Sequence, residues 1–200
     1  MKEITGRQKQ IVAAALDIVA ENGPEALTIK GIAGRVGFSG AAVYRHFQSK
    51  AQILNTVVDL FAASSEQLLA EIQACDCPDL EKIRLFFLDR CRAFAADRVL
   101  ATVMFAENLF QSDPSLAAKL HQVLQAHRRL LLGTIRSGQR RRAIRRLPAE
   151  HLFTMVMGSL RLLVLQWQLG GHGFDLMRAG EKLWGSLETL IATPRRKKIK

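Results

Sequence analysis

The segment 28–47 constrains the fold of this chain more than any other part of the sequence. Thr28 is a helix-capping residue, and the apolar residues after it recur at helical spacing. Gly37 ends this helix after about two turns, and Ser39 then caps a second short helix. Two short helices joined by a tight glycine turn predict a helix-turn-helix, a motif that reads DNA.

Helices are also predicted on both sides of this motif. Thr5 and Gln8 have the spacing of a capping box, and the helix that follows them ends at Gly23. Ser49 and Gln52 form a second capping box, which opens a long amphipathic helix. The motif is therefore supported by one helix before it and one after it.

Small side chains begin the second helix of the motif and predict a close approach to DNA. A major groove about 12 Å wide accepts one helix side-on. Gly40, Ala41 and Ala42 do not obstruct this approach, and the two methyl groups can touch thymine methyls. Because they supply no hydrogen bonds to bases, Lys30 and Arg45 are the predicted polar readers of the sequence.

A further set of side chains suits contacts to phosphate, which position the protein without specifying a sequence. Tyr44 and His46 flank the predicted groove surface, and the hydroxyl of Thr28 can add a contact. Lys50 lies in the first turn of the next helix, where free N–H groups favour an anion. The alternative for Tyr44 and His46 is that they are half-buried amphipathic residues.

Residues 7–60 resemble the TetR family of regulators. The resemblance is carried by LTIKGIA at 27–33, GFS at 37–39, VYRHF at 43–47 and the pair Ser49-Lys50. Ala41 departs from the family, since many relatives have Gly or Pro there, which affects the base preference. The set predicted to bind DNA comprises Thr28, Lys30, Ser39, Gly40, Ala41, Ala42, Tyr44, Arg45, His46 and Lys50.

The rest of the chain shows helical periodicity and no strand alternation, which predicts an all-α protein of about nine helices. One helix is predicted at 100–110. The expected organisation is a helix-turn-helix domain at 1–50, a helical ligand-binding and dimerisation domain at 51–193, and a disordered basic tail at 194–200.

Operator recognition needs two readers about 34–36 Å apart, which predicts a homodimer on a palindromic site. The segments 148–170 and 174–192 are the candidate interface, since the first is apolar on more faces than one core can cover. Trp167 and Trp184 are candidate anchors. The resemblance agrees, because family members dimerise through their last two helices.

The resemblance also implies a cavity for a small, apolar effector enclosed by the fourth to seventh helices, and release from DNA when it binds. Phe61, Phe87, Met104, Phe105 and Phe110 are candidate lining residues, with structural core as the alternative. Arg161 is the most unusual polar residue of an apolar helix. It is predicted to face an anionic ligand, a carboxylate of the partner or solvent.

The net charge of +11 comes from two segments. Residues 136–146 hold six arginines and no acid, and the segment 195–200 holds five Lys or Arg residues and no acid. A solvated loop and a second DNA contact are the two readings of the first segment. The tail can add salt-sensitive affinity for DNA.

The remaining residues indicate no metal, cofactor or catalytic site. Cys75 and Cys77 are too few thiols for a structural zinc site and are interpreted as loop cysteines, with redox sensing as the alternative. His121 and His127 do not share a helix face and are predicted at a surface or interface. Catalytic motifs are absent from the sequence, so an enzyme is not expected.

We therefore predict a TetR-type transcriptional repressor in the cytoplasm. Polar residues interrupt the apolar segment 152–169, so no membrane span is expected. The third helix is also similar to that of nucleoid-occlusion regulators. This leaves open a second reading, in which a protein partner controls DNA binding and no metabolite does.

Overall fold

The computed structural model describes residues 5–23, 26–105 and 113–194, and these residues form nine α-helices and no β-strand. The prediction of an all-α protein is therefore confirmed. The tail at 195–200 and the end of the helix predicted at 100–110 lie outside the described residues. The helices are α1 (Gly6–Asn22), α2 (Ile29–Val36), α3 (Gly40–Tyr44), α4 (Lys50–Ala74), α5 (Asp79–Ala96), α6 (Arg98–Phe105), α7 (Pro114–Arg140), α8 (Ala149–Leu169) and α9 (Leu176–Ile191).

The chain divides into two compact units. The first contains the residues up to 65 together with 97–123, and the second contains 66–96 together with the residues from 124 onward. Helices α4 and α7 each contribute to both units. These units group residues by contact, so the functional boundary after residue 50 stays a prediction.

In the first unit, α1 packs against α2 and α6, and α2 packs against α3. The capping box predicted for α1 is present, with Gln8 N donating to Thr5 Oγ1 at 3.2 Å and Thr5 N donating to Gln8 Oε1 at 2.9 Å. Ile11, Ile32 and Ile53 are completely buried and form part of this core. Apolar burial of this kind is the main force that holds short helices in place.

In the second unit, α5 packs against α8 and α9. Phe87 is completely buried, and its ring lies 5.8 Å from that of Trp184 on α9. Gly180 allows α9 to approach α5 closely, since a Cβ at this position would lie 2.8 Å from Cys91 Sγ. Burial raises the pKa of the Cys91 thiol to about 12, so this cysteine is an unreactive core residue.

Both tryptophans that the sequence offered as interface anchors are instead buried within the protomer. Trp167 and Trp184 are each 3% exposed. Trp167 Nε1 donates to the carbonyl of Phe174 at 3.0 Å. Their apolar area therefore stabilises the fold of the second unit, and other residues must supply the exposed anchors of any interface.

The prediction that His127 lies at a surface or interface is wrong. Its side chain on α7 is buried, and its ring meets that of Phe86 edge to face at 5.0 Å. Burial, together with the nearby Arg90 charge, lowers the pKa of His127 to about 4. His127 is therefore neutral at pH 7, whereas His121 lies exposed on the same helix.

The connection between α4 and α5 contains a disulfide bond between Cys75 and Cys77. From the sequence, these residues were interpreted as loop cysteines, with redox sensing as the alternative, and a bond between them was not predicted. Both residues are half-buried, and they close a ring around the exposed Asp76. A pairing between residues this close is governed by local loop geometry, which residue spacing alone does not reveal.

Among the described helices, α8 is the one long and apolar enough to cross a membrane, by length and composition only. One third of its most apolar window is buried inside the protein. The buried side chains follow one another at intervals of three or four residues, at Leu152, Val156, Leu160, Val164 and Trp167. This stripe is the pattern of a helix that packs on its own protein.

Candidate nucleic-acid interface

The first helix of the motif, α2, is fixed at both ends as the sequence predicts. Gly31 N donates to Thr28 Oγ1 at 3.0 Å, which caps the N-terminus. Gly37 has a φ of +70°, in the left-handed region that favours glycine, and its N–H donates to Ala33 O. Phe38 N donates to the same carbonyl at 2.9 Å. The tight turn between the two helices is therefore closed by hydrogen bonds.

The second helix of the motif, α3, presents a smooth outer surface. Ser39 Oγ accepts from Ala42 N at 3.1 Å and caps the helix. Gly40 borders open space, since a Cβ built there meets no atom within 4 Å, and Ala41 is exposed. Val43 on the opposite side is completely buried. This arrangement leaves the backbone at the start of α3 accessible to the floor of a groove.

The chain leaves α3 at Tyr44, earlier than the sequence suggested. Val43 and Phe47 have the four-residue spacing of one helix face, but Arg45, His46 and Phe47 lie in the turn that follows the helix. Hydrogen bonds from His46 N and Phe47 N to Val43 O, both 3.0 Å long, hold the turn. Phe47 is still 2% exposed and anchors the turn from behind.

The predicted DNA-facing side chains differ in exposure. Tyr44 is 55% exposed, which excludes the reading of it as a half-buried residue, whereas His46 is half-buried. Arg45 is fully on the surface at the C-terminal end of α3. Lys30 is exposed on α2. Tyr44, Arg45 and Lys30 are therefore accessible to a duplex without rearrangement.

The N-terminus of α4 carries Lys50 beside a network that differs by one residue from the predicted capping box. Gln52 N donates to Ser49 Oγ at 3.1 Å, as expected. The reciprocal bond is made by Gln48 N, which donates to Gln52 Oε1 at 2.6 Å. Lys50 is half-buried. A phosphate at this helix start would meet backbone N–H groups at the positive end of the helix dipole and the ammonium of Lys50.

Thr28 serves two purposes in this geometry. Its hydroxyl oxygen accepts the capping hydrogen bond from Gly31, and its residue is exposed. A hydroxyl also has one proton to donate, so the same group can cap the helix and donate to a phosphate oxygen.

The contacts of two basic residues in this unit were not predicted from the sequence. Arg7 lies over the ring of Phe38, with its Cζ 4.9 Å from the ring centre. Arg35 Nη1 donates to Glu21 Oε1 at 2.9 Å and joins α2 to α1. This bond lowers the pKa of Glu21 and raises that of Arg35. A long-range partner such as Glu21 leaves no local signal in the sequence.

The candidate effector-binding residues are divided between the two units. Phe61 and Met104 are buried in the first unit, where Phe105 is half-buried. Phe87 is in the core of the second unit, and Arg161 is exposed on α8. Which of them contact an effector stays a prediction.

No group of three or more His, Cys, Asp and Glu side chains that could hold a metal ion occurs among the described residues. This finding concerns that part of the chain alone. The candidate nucleic-acid site therefore consists of the exposed residues of the helix-turn-helix, whose side chains can donate hydrogen bonds to bases and phosphates.

Two family models match almost the whole chain. The model described as "Bacterial regulatory proteins, tetR family" matches residues 11–57. The model described as "YsiA-like protein, C-terminal region" matches residues 57–190. The two matches meet at residue 57, within α4.

One curated relative matches over its full length, and solved structures share the fold. The Fatty acid metabolism regulator protein of Bacillus subtilis (strain 168) is 26% identical over 197 residues, covering 96% of this chain and 97% of the relative. The ketosteroid transcriptional regulator KstR2 of Mycobacterium tuberculosis has a TM-score of 0.85 at 17% identity, covering 96% of this chain and 98% of that one. FadR from Bacillus subtilis in complex with stearoyl-CoA has a TM-score of 0.74 at 24% identity, covering 90% and 97%.

Proposed function

Because this chain belongs to the TetR family of bacterial regulatory proteins, we propose that it represses transcription by binding palindromic operator DNA as a homodimer. We place it in the cytoplasm, where the operator is, and assign it no catalytic activity. The observation that carries the proposal is the surface formed by Tyr44, Arg45 and the open start of α3. Val43 and Phe47, both buried, hold this surface from behind.

The division of labour on DNA follows from the chemistry of each side chain. Arg45 and Lys30 are proposed to read bases, since a guanidinium pairs with guanine in the major groove. Tyr44, His46, Lys50 and Thr28 are proposed to bind phosphates. Gly40, Ala41 and Ala42 permit close approach, with Ser39 capping the helix that they begin.

Exposed apolar side chains on α8 and α9 support the proposal of a homodimer through these two helices. Leu162 is 55% exposed and Met155 is 41% exposed on α8, and Leu190 is 54% exposed on α9. Large apolar residues concentrated on neighbouring helices mark interaction surfaces more often than single exposed residues do. A symmetric dimer would cover the same patch on both copies.

A long-chain acyl thioester is the effector class that we propose. The support is that the relative matched over its full length is named a fatty acid metabolism regulator, and that a structural neighbour was solved with stearoyl-CoA. In the first unit, Phe61, Met104 and Phe105 are apolar candidates for contacts to the acyl chain, and Phe87 of the second unit stays a separate candidate. Arg161 stays a candidate for an anionic group of the effector or a carboxylate of the partner.

The proposal is tested by selecting binding sites from a random DNA pool with the full-length protein, then titrating the bound complex with stearoyl-CoA. We expect a palindromic site bound by one dimer and its release by stearoyl-CoA, with free coenzyme A as the control. Failure to enrich any sequence would contradict the proposal that the protein is a sequence-specific repressor. Specific binding that no acyl thioester releases would favour control by a protein partner.

A further inference from the structure

The last turns of α7 and the connection to α8 carry six exposed arginine side chains for which the proposed function has no use. One of them, Arg141, lies with its Nε 3.9 Å from Asp79 Oδ2. We call the other five the arginine cluster, and it comprises Arg136, Arg140, Arg142, Arg145 and Arg146. Among the ion pairs between described residues, one involves the cluster, that of Arg136 with Glu150 at 3.7 Å. The cluster therefore holds a positive charge that nearby carboxylates compensate only in small part.

The backbone that carries the cluster is fixed by hydrogen bonds from both sides. Gln139 Nε2 donates to two carbonyls of the connection, at 2.9 and 2.7 Å. Arg145 N donates to Ile191 O at 2.8 Å, and Thr193 N donates to Ala143 O at 2.9 Å. The end of α9 and the connection thus form a short antiparallel pairing. The arginines project from an ordered frame, which lowers the entropy lost on binding a ligand.

Packing beneath the connection selects the same conformation. Ile144 is 1% exposed and fills the space over Gly138, where a Cβ would lie 2.5 Å from Ile144 Cδ1. Arg142 has a φ of +59°, in a region that residues other than glycine seldom occupy. Such a conformation persists when its surroundings determine it. The backbone conformation at Arg142 is therefore set by the loop around it.

Two adjacent surface cavities open among these side chains. The first has a volume of about 380 Å³ and is lined by Arg142, Ile144, Arg145, Arg146 and Thr193. The second has a volume of about 440 Å³ and is lined by Arg136, Gln139, Arg140, Arg146 and Leu147. Arg146 belongs to both, and the described residues that line the two cavities include no carboxylate. Each cavity thus combines three guanidinium groups with one aliphatic side chain.

This arrangement suits a ligand with more than one phosphate group. The planar guanidinium donates two parallel hydrogen bonds to a phosphate, and several guanidinium groups without counterions attract an anion strongly. Cavities of this size lie in the range of small-molecule sites, about 300–1,000 Å³. We propose that the arginine cluster binds a small organic polyphosphate, such as a nucleoside triphosphate. The phosphates would occupy the two cavities on either side of Arg146.

The test is isothermal titration calorimetry of the full chain with pyrophosphate and with ATP, using adenosine as the uncharged probe. We expect one pyrophosphate or ATP per chain and no binding of adenosine. Arg142→Gln/Arg146→Gln should weaken both polyphosphates by about tenfold or more, since hydrogen bonds to charged groups are among the strongest in proteins. The matched control is Arg92→Gln/Arg98→Gln, which removes two exposed charges from other helices and should leave the affinity unchanged.

Three results would overturn the proposal. The first is that neither polyphosphate binds at physiological salt. The second is that both double variants lose affinity equally, which would indicate general attraction of anions to a basic protein. The third is that Arg142→Gln/Arg146→Gln weakens the binding of random-sequence duplex DNA but leaves polyphosphate binding intact, which would show that these arginines bind DNA. If that variant melts earlier than the native chain, Arg140→Gln at the end of α7 supplies the same comparison.

Discussion

Val43 and Phe47 hold the proposed DNA-facing turn from behind, which leaves Tyr44 and Arg45 on its outer side. The two buried residues lie at the ends of this five-residue segment, with the exposed Tyr44 and Arg45 and the half-buried His46 between them. Their roles are therefore separable by substitution. A change at Val43 or Phe47 would disturb the core, whereas a change at an exposed position would alter binding alone.

Substitutions at the exposed Tyr44 and Arg45 and at the half-buried Lys50 should affect operator binding in different ways. Lys50→Ala and Tyr44→Ala should weaken binding to all sequences, because phosphate contacts do not distinguish bases. Lys50→Ala should also reduce the slope of log affinity against log salt by about 1 for each lysine removed. Arg45→Ala should instead change the preferred base at one position of each half-site. Fluorescence anisotropy over a salt series measures both effects, and an unchanged slope would remove Lys50 from the phosphate contacts.

His127 should make the protein less stable in mild acid. Its pKa in the folded protein is about 4, below the ordinary value of 6.5. Between pH 6.5 and pH 4 the histidine therefore binds a proton in the unfolded chain but not in the folded chain. The free energy of unfolding should fall between pH 6.5 and 4, by about 2 kcal/mol between pH 7 and pH 5. Urea unfolding of His127→Leu should lack this loss, whereas His121→Gln, at an exposed position, should retain it. If the stability of His127→Leu depended on pH in the same way as that of the native chain, His127 would not be the cause of the loss in acid.

At the scale of single elements, helix packing sets limits that local sequence does not show. Gly180→Ala should lower the free energy of unfolding by about 1–3 kcal/mol, because its Cβ would lie 2.8 Å from Cys91 Sγ between α9 and α5. Gly133→Ala on α7 is the matched control, since a Cβ there meets no atom within 4 Å. It should be neutral or slightly stabilising. Equal destabilisation by the two variants would show that close packing at Gly180 is unimportant.

The elements that the sequence predicts best are those determined by neighbours along the chain. The caps at Thr5, Thr28 and Ser39 all form, because each depends on an N–H three residues away. The inward positions of Trp167 and His127 were missed, because burial depends on helices distant in sequence. In the candidate DNA-binding site, the helix-turn-helix motif and its exposed residues could be predicted, because they depend on residues close together in the sequence. The candidate effector residues were chosen by residue type, and whether they line one cavity depends on packing between segments distant in sequence.

For the whole molecule, the proposed dimer makes operator affinity depend on α8 and α9 of the second unit as well as on the proposed DNA-binding residues of the first unit. Leu162→Glu on α8 would place a charge in the apolar patch and should yield monomers by sedimentation velocity. Its operator affinity should fall by about tenfold or more, since one subunit holds only one half-site. Leu124→Glu, at a residue 45% exposed on α7, is the control and should remain dimeric. A dimeric Leu162→Glu would place the interface elsewhere.

The pairing between the connection after α7 and the end of α9 joins two positions that are far apart in sequence. Arg145 N and Thr193 N each donate across it, to Ile191 O and Ala143 O. Two bonds that share one opening event should release their amide protons to solvent together. Hydrogen exchange at Arg145 and Thr193 should therefore proceed at matching rates, and any effector that tightens this corner should slow both amides at once.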